Sequence, residues 1–279
     1  MMWNCPVCRE PLNDNQTRSL TCCAGHCYDM AREGYVNLLL VNHKHSQQPG
    51  DSKEMIAARA RVHDAGLYQG LAVALQDQLV ALEVEPARVL DLGCGDGYYA
   101  AAIAQALPGA RVFGIDIAKP AVKLAARRCP AGEFAVASAF DVPLPDASID
   151  LVLSVFAPVD TGELSRLLVP GGLYLKVTPA PRHLWELRSL LYDQPRPHPV
   201  ESQLEHGFQL LAASDLQYEL QLDGKTLRDL VAMTPYAHKG PRAGRDRLLG
   251  LEEITLQMCF SIALQRYQSG AIRSGDATV

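Results

Sequence analysis

The chain has 279 residues, of which 48% are apolar and 20% are charged, and its formal net charge is −5. This composition suits one large folded domain with a small appendage and excludes a fibre or a wholly disordered chain. No apolar run is long enough to cross a bilayer, and the amino terminus lacks the basic start and apolar stretch of a signal peptide. We therefore expect a cytoplasmic protein that makes no membrane contact.

The cysteines are concentrated near the amino terminus, where five of the eight precede residue 28. Clustering at one end of a cytoplasmic chain indicates a metal site rather than a disulfide framework. A Cys-x-x-Cys pair and a later Cys-x-x-x-His pair offer four ligands that suit a tetrahedral, structural zinc ion. The predicted ligands are Cys5, Cys8, Cys22 and His26. The neighbours Cys23 and Cys27 leave open whether one of them replaces a ligand.

Breaks in the sequence pattern divide the chain into three predicted segments. Residues 1–38 are short, turn-rich and cysteine-rich, and we predict that they form a zinc-binding domain. Residues 39–85 are predicted to form a helical linker, because Asp51-Ser52 opens a long helical pattern after a Pro-Gly break. Residues 86–279 form the remaining domain, and its small polar tail after residue 268 is predicted to be disordered.

From Arg88 onwards, apolar strands alternate with helices. The predicted strands are Arg88–Leu92, Arg111–Asp116, Phe134–Ala137, Asp150–Phe156 and Leu173–Thr178. The predicted helices are Tyr98–Leu107, Pro120–Arg128, Gly162–Leu168 and Pro181–Leu191. This order predicts an α/β fold with a doubly wound parallel sheet that is covered on both faces. Gln217–Leu222 and Ile254–Arg266 are predicted late strands at an edge of the sheet, where an antiparallel direction is allowed.

A glycine loop follows the first of these strands. Gly93, Gly95 and Gly97 lie directly after the strand and directly before a helix, where such sheets bind ligands. Glycine allows positive φ and a close approach of the backbone to a ligand. The loop lacks the Gly-x-Gly-x-x-Gly spacing of dinucleotide sites, so a nicotinamide-binding domain is the weaker alternative. Asp91 precedes the loop, and Asp116 ends the next strand, where an acidic group can accept both ribose hydroxyls.

This arrangement resembles the Rossmann-like class I methyltransferases, which use S-adenosylmethionine. The resemblance implies that Asp91 orients the methionine end, that the three glycines pack against it, and that Asp116 binds the ribose. Ser138, after the third strand, stands where the family often has an Asp that faces the adenine edge. Asp96, within the loop, either contacts the cofactor or only caps the following helix.

The glycine loop is shared by many families, and two other stretches are more specific to a single family. They read Gly34-Tyr35-Val36-Asn37-Leu38-Leu39 and Pro181-Arg182-His183-Leu184. Together with the cysteine pairs, they make most of the chain, from Cys5 to about Tyr267, similar to the bacterial 23S ribosomal RNA guanine-N1 methyltransferases. This resemblance narrows a general methyltransferase to one that acts on RNA.

The resemblance also implies a set of site residues, a substrate and an assembly. Zinc would bind at the four ligands named above. The implied cofactor-binding residues are Tyr68, Asp91, Gly93, Gly95, Asp96, Gly97, Asp116, Ser138 and His183. The implied acceptor is N1 of a guanine in a 23S RNA hairpin loop, and the residues leave open which guanine. The implied assembly is a homodimer whose zinc modules flank an RNA cleft.

Methyl transfer to guanine N1 requires that the base is unstacked and that N1 loses its proton, and hydrogen-bond donors near O6 assist it. Phe156 follows the fourth predicted strand, where an aromatic wall would hold the guanine, and Tyr236 is a weaker candidate. His183 is a further candidate for this acceptor pocket. The family often has Tyr-Ala-Pro-Cys where this chain has Phe156-Ala157-Pro158-Val159, so the pocket differs there. No residue is assigned as the general base.

Two basic runs offer RNA contacts despite the net negative charge. The first, in a predicted Gly/Pro loop at residues 239–247, includes Arg242 and Arg245, and the second extends from His43 to Arg61. A solvated surface is the other interpretation of each run. Two alternatives to an RNA methyltransferase also stand. A small-molecule methyltransferase of quinone biosynthesis needs no zinc module, and a non-catalytic RNA-binding factor needs no intact glycine loop.

Overall fold

The structure, a computed structural model, describes residues 2–15, 18–40, 50–82, 85–237 and 240–268. The tail predicted to be disordered after residue 268 lies outside these ranges. The strands are β1 (Asn13–Asp14), β2 (Ser19–Thr21), β3 (Cys27–Asp29), β4 (Tyr35–Asn37), β5 (Arg88–Leu92), β6 (Arg111–Asp116), β7 (Glu133–Val136), β8 (Ile149–Val155), β9 (Leu168–Pro179), β10 (Phe208–Asp223) and β11 (Glu253–Tyr267). The helices are α1 (Lys53–Asp64), α2 (Gln69–Val80), α3 (Tyr98–Ala106), α4 (Lys119–Arg128), α5 (Thr161–Leu167), α6 (Trp185–Leu191), α7 (Gly224–Ala232) and α8 (Arg242–Leu249).

The strands form two sheets. β1, β2 and β3 make a small antiparallel sheet in the amino-terminal segment. The other eight strands make one large sheet in the order β10-β11-β9-β8-β5-β6-β7-β4. The strands from β9 to β4 in that order run parallel, and β11 is antiparallel to both of its neighbours. The predicted doubly wound sheet with an antiparallel edge is therefore confirmed.

The winding of the chain reverses at β5. From β5 the chain passes to β6 and β7 on one side of the sheet and then returns to β8 on the other side. The carboxyl ends of β5 and β8 therefore border the crevice where such sheets bind ligands. The glycine loop at residues 93–97 follows β5, and residues 156–159 follow β8, so two predicted site segments meet at this crevice.

Apolar side chains cover both faces of the large sheet. Val89 belongs to a buried cluster that includes α2, α3 and α4, whereas its neighbour Leu90 belongs to a cluster that includes Trp3 and α5. Successive strand residues point to opposite faces, so a strand buried on both sides reads as the continuous apolar run seen here. None of the helices in the described ranges has both the length and the apolar composition that spanning a bilayer requires.

Four elements differ clearly from the sequence prediction. β9 begins at Leu168 rather than Leu173, because Leu168 pairs with Ile149 of β8. α6 begins at Trp185 rather than Pro181, because Leu184 has a left-handed φ of 52° that cannot belong to an α-helix. β10 begins at Phe208, well before the predicted Gln217, because pairing with β11 continues along its exposed residues. α8 begins at Arg242, so the loop predicted for this basic run is wrong over most of its length.

The amino-terminal segment is attached to the large sheet by backbone pairing and side-chain packing. β4 pairs in parallel with β7, so this strand belongs to the large sheet although the sequence assigns it to the zinc-binding domain. Trp3 packs edge-on against Phe113 with ring centroids 5.8 Å apart, and Arg9 forms an ion pair with Asp141. The predicted domain division stays a prediction, and residues 1–38 contact the domain predicted for residues 86–279 through both backbone and side chains.

Candidate active site and metal centre

The four predicted zinc ligands meet in one cluster between the turn at residues 5–8 and the connection from β2 to β3. One ligand atom from each residue lies within 4.8 Å of every other. The Sγ atoms of Cys8 and Cys22 are 3.5 Å apart, and Nδ1 of His26 lies 3.3 Å from Sγ of Cys22. A tetrahedral zinc ion with ordinary bond lengths separates such atoms by about 3.6–3.8 Å, so the cluster fits this ion.

The same geometry distinguishes between the neighbouring cysteines. Cys22 is buried in the cluster, whereas Cys23 and Cys27 are exposed and lie outside it. The hydroxyl of Tyr28 lies 3.3 Å from Sγ of Cys5, a contact that the sequence did not indicate. Hydrogen bonds of this kind orient metal ligands. Three thiols and one imidazole leave no open coordination position, so the donor set suits a structural ion.

The glycine loop is packed tightly at both ends and open in the middle. All three glycines have positive φ. A Cβ atom on Gly93 would lie 2.5 Å from Cβ of Ala157, and one on Gly97 would lie 2.6 Å from Cα of Ala125. A Cβ on Gly95 would meet only Nη1 of an arginine, at 3.9 Å. The middle of the loop is therefore the part that a ligand can approach.

Asp91 lies beneath this loop and is buried. Its Oδ2 has no hydrogen-bond partner in the described part of the chain. Burial, and next the negative charge of Asp116, raise the pKa of Asp91 to about 8. A buried carboxyl oxygen without a partner is suited to an incoming positive group. The ammonium and sulfonium of S-adenosylmethionine are such groups, so these residues fit that cofactor.

Asp96 is also buried in the loop, but protein groups already bind its carboxylate. Oδ1 lies 2.9 Å from Nδ1 of His63 in α1, and Oδ2 accepts a hydrogen bond of 2.8 Å from Arg128 in α4. Burial would raise the pKa of Asp96, but the bond and charge of His63 and the charge of Arg128 lower it. The His63 ring stacks on Tyr98 with centroids 4.3 Å apart. Asp96 therefore fixes the loop to two helices.

Asp116 lies at the carboxyl end of β6, as predicted. Its Oδ2 accepts a hydrogen bond from the N–H of Gly95 at 3.0 Å, and its Oδ1 accepts one from Ala118 at 2.8 Å. Each carboxylate oxygen has a second lone pair, so these bonds aim the group and leave capacity for ribose hydroxyls. Ser138 follows β7 and lines the same cavity, where its hydroxyl accepts a hydrogen bond from the N–H of Phe140.

The glycine loop borders a cavity of about 400 Å³, here called the cofactor cavity. A second cavity of about 990 Å³, here called the acceptor cavity, adjoins it. Both are lined by Asp51, Arg59, Tyr68, Phe156, Ala157, Pro158 and Met233. Because the cavities share these walls, a ligand in one can reach a ligand in the other. Group transfer between two substrates requires such an arrangement.

Phe156 stands where the two cavities meet. It follows β8 with a left-handed φ of 56°, and 42% of the residue is exposed. Its ring lies 5.8 Å from the His183 ring and 5.9 Å from the Phe260 ring. Positive φ is strained for an aromatic residue, and such strain is common where a site requires one direction of a side chain. The exposed ring offers a surface on which a planar base can stack.

His183 is buried and lines the acceptor cavity. Its Nδ1 accepts a hydrogen bond of 3.2 Å from the N–H of Cys259. Burial, and next the nearby His198, lower the pKa of His183 to about 3, so the ring is neutral near pH 7. A neutral ring whose Nδ1 accepts a hydrogen bond carries its proton on Nε2. His183 is therefore a donor at Nε2 and not a base.

The other polar side chains that line the acceptor cavity include Tyr236, Arg188 and His198, of which the sequence indicated only Tyr236. Arg188 in α6 donates a hydrogen bond of 3.1 Å to the Tyr236 hydroxyl and lies 3.2 Å from the ring of His198. Within the described ranges, the buried Nε of Arg188 has no partner. No motif surrounds Arg188 or His198, so only the fold brings them to the site.

Two protein families match separate parts of the chain. The family described as "RlmA, N-terminal", a zinc ribbon, matches residues 3–47. The family described as "Methyltransferase domain" matches residues 89–172. The first match covers the cysteine cluster, and the second covers the sheet from β5 through the glycine loop into β9. S-adenosylmethionine and a structural zinc are therefore the cofactors of this fold.

Known relatives are similar over nearly the whole chain. The 23S rRNA (guanine(748)-N(1))-methyltransferase of Streptomyces fradiae is 36% identical over 269 residues, which are 92% of this chain and 95% of that protein. A protein of Micromonospora griseorubida, provisionally named a 23S rRNA (guanine-N(1)-)-methyltransferase, is 36% identical over 287 residues, 95% of this chain and 96% of that protein.

A small-molecule enzyme matches a shorter part of the chain. The demethylmenaquinone methyltransferase of Thermus thermophilus is 35% identical over 128 residues, which are 41% of this chain and 58% of that protein. The similarity to the Streptomyces enzyme, by contrast, extends over nearly all of both chains. The chain therefore belongs to the 23S rRNA guanine-N1 methyltransferase family, with an amino-terminal zinc ribbon and an S-adenosylmethionine-dependent core.

Proposed function

We propose that this protein transfers a methyl group from S-adenosylmethionine to N1 of a guanine in a hairpin loop of 23S ribosomal RNA. The observation that carries the proposal is the junction of the two cavities, with the glycine loop on one side and Phe156 and neutral His183 on the other. Similarity over nearly the full length to a 23S rRNA methyltransferase supports the substrate class. The intact loop with Asp91 and Asp116 disfavours a non-catalytic RNA-binding role.

The zinc ion is assigned to Cys5, Cys8, Cys22 and His26, and its role is structural. Four protein ligands fill a tetrahedral shell, so the ion contributes folding free energy and takes no part in methyl transfer. A segment with three very short strands gains little from a core of its own, which explains the need for a metal. The packing of this segment on β7 then holds it beside the cofactor cavity.

The cofactor is assigned to the smaller cavity, where bound S-adenosylmethionine supplies an electrophilic methyl group. The unpartnered oxygen of Asp91 would bind the positive methionine end, and Asp116 would accept the ribose hydroxyls. Asp96 acts by fixing the loop to α1 and α4. The residues assigned to this site are Tyr68, Asp91, Gly93, Gly95, Asp96, Gly97, Asp116 and Ser138.

The guanine is assigned to the acceptor cavity. Phe156 stacks on the base, and Nε2–H of His183 donates to O6, where negative charge collects as N1 loses its proton. Bound S-adenosylmethionine would give its methyl group to N1 with loss of the sulfur–methyl bond, and the N1 proton would have to leave to a base. His183 cannot accept that proton because Nε2 is already protonated. The carboxylates of Glu201 and Glu205 line the same cavity. Glu205 already binds Lys176 and Thr161. Glu201, whose carboxylate lies 3.6 Å from Lys176, is therefore better suited to accept the proton.

RNA backbone contacts are assigned to Arg242 and Arg245 at the start of α8, where the Arg242 side chain is 89% exposed. Of the other residues in the two basic runs, Lys239 and those at 43–45 lie outside the described ranges. Arg59, Arg61 and Arg247 lie within them and form ion pairs with Asp51, Asp229 and Asp193. We further propose a cytoplasmic homodimer, as the resemblance to the family implies. Sedimentation over a range of concentrations tests the assembly, and a monomer throughout contradicts it.

Mapping of ribosomal RNA tests the proposed function. RNA from a strain that lacks this gene should lack one N1-methylguanine in a 23S hairpin loop, and the purified protein with S-adenosylmethionine should restore it. Primer extension stops at N1-methylguanine, so the modified nucleotide is read directly, including guanine 748, the target named for the Streptomyces relative. An unchanged modification profile contradicts the proposal and favours a small-molecule acceptor.

A further inference from the structure

Arg59 enters the site from α1, and no motif marks it. Its side chain is 25% exposed and lines both cavities. Its Nη1 atom lies 3.9 Å from the position that a Cβ atom on Gly95 would take. This arginine therefore faces the open middle of the glycine loop, the part of the loop that a cofactor can approach.

The position of Arg59 matters because the other charged side chains around the cofactor cavity are acidic. Asp51, Asp96 and Asp116 line the cavity, and Asp91 lies beneath the loop. Within the described part of the chain, Arg59 is the one lysine or arginine that lines it. S-adenosylmethionine carries a carboxylate on its methionine end as well as its positive groups. An anion in a cavity lined by carboxylates requires a cation, since burying an unpaired charge is costly.

Asp51 holds the guanidinium in place. Its carboxylate accepts a hydrogen bond of 2.5 Å from Nη2 of Arg59. A guanidinium has five N–H donors in a fixed plane, so a bond at Nη2 orients the Nη1 donors without using them. The pair thus presents Nη1 toward Gly95 and the cavity.

We propose that Arg59 binds the carboxylate of S-adenosylmethionine and that Asp51 is the residue that positions it. The proposal rests on the assignment of this cofactor to the smaller cavity. It assigns to α1 a part in cofactor recognition, since the N–H of Gly95, in the open middle of the loop, already donates to Asp116. Recognition of the carboxylate also predicts selectivity, since a cofactor without that group would gain nothing from Arg59.

Calorimetric titration of the whole protein with S-adenosylmethionine and with its decarboxylated form, S-adenosylmethioninamine, tests this proposal. The wild type should bind the carboxylated form about 10- to 100-fold more tightly, as expected for a charged hydrogen bond. Arg59→Gln should abolish this preference and leave affinity for the decarboxylated form nearly unchanged. The matched control is Arg61→Gln, because Arg61 lies on the same helix and pairs with Asp229.

The outcomes separate this proposal from the proposed function. If Arg59→Gln keeps the preference, or lowers affinity for both compounds equally, Arg59 does not bind the carboxylate although the cofactor assignment stands. If the wild type binds neither compound, the cofactor assignment itself fails. Circular dichroism checks the fold of the variant, and Arg59→Lys repeats the comparison with the charge kept. With lysine, part of the preference should remain, and an unaltered preference contradicts the need for the planar guanidinium.

Discussion

His63 and Asp96 are joined by a hydrogen bond of 2.9 Å, although 33 residues separate them in the chain. Both side chains are buried, and Arg128 contacts the second carboxylate oxygen. The contact connects α1 to the glycine loop at the residue before Gly97. The position of the cofactor cavity therefore depends on a histidine that no methyltransferase motif includes.

Replacing His63 with Leu should lower the free energy of unfolding by about 1.5–3 kcal/mol, because one oxygen of a buried carboxylate loses its hydrogen-bond partner. Urea denaturation measures this change. His206→Leu is the matched control, since His206 is exposed. Equal stability of the two variants would show that the bond to Asp96 contributes little.

Asp91→Asn should remove a pH dependence of stability. The pKa of Asp91 is about 8 in the folded protein and ordinarily 3.8, so the folded state holds this proton more tightly than the unfolded state. The free energy of unfolding should therefore fall as pH rises from about 4 to about 8. We expect urea denaturation to show a smaller fall for Asp91→Asn, together with weaker cofactor binding. Parallel curves for the two proteins would contradict the raised pKa.

His183→Ala should lower kcat by about 10²- to 10³-fold, because the donor to O6 is lost. The shape of the pH–rate profile between about pH 5 and pH 8 should not change, since the pKa of His183 is about 3. Single-turnover methylation of a hairpin RNA at several pH values measures both quantities, with His206→Ala as the control. Loss of a titration near neutral pH in the variant would identify His183 as a base instead.

Zinc content should distinguish the adjacent cysteines. Cys22→Ser should lose the bound metal and the fold of the amino-terminal segment, whereas Cys23→Ser should keep both, because only Cys22 lies in the cluster. Elemental analysis of the purified variants gives the ratio of zinc to chain. Loss of zinc in Cys23→Ser alone would overturn the assigned ligand set.

Combined replacement of Arg242 and Arg245 by Ala should weaken RNA binding and flatten its salt dependence. Each lost phosphate contact reduces the slope of log affinity against log salt by roughly 0.7–0.9, so the pair should reduce it by about 1.5. Asp116→Ala should do the reverse, with weaker cofactor binding and little change in RNA affinity. Filter binding at several salt concentrations measures this slope. An unchanged slope in the double variant would show that the basic run is only a solvated surface.

The strands next to the crevice were predictable from sequence. β5 and β6 have the predicted bounds, because continuous apolar runs between turn residues mark strands buried on both faces. The start of α6 was not predictable, since Leu184 adopts a left-handed conformation that its residue type does not favour. β10 is mostly exposed, and it is a strand because β11 pairs with it.

In the candidate site, too, some residues were predictable from sequence and others were not. Asp91 and Asp116 lie at the carboxyl ends of β5 and β6, and the glycines come directly after β5, so local spacing places them. Arg59 and His63 come from a helix that precedes the sheet, and only tertiary packing brings them to the loop. The choice of Cys22 over Cys23 depends on which side of the chain faces the cluster, which spacing alone does not fix.

The pairing of β4 with β7 has a consequence for how a target nucleotide is chosen. Because backbone hydrogen bonds join β4 to β7, the zinc ribbon is held against the sheet and is not attached through a linker alone. If an RNA hairpin binds at the ribbon, the distance from the ribbon to the acceptor cavity would limit which of its nucleotides reaches the site.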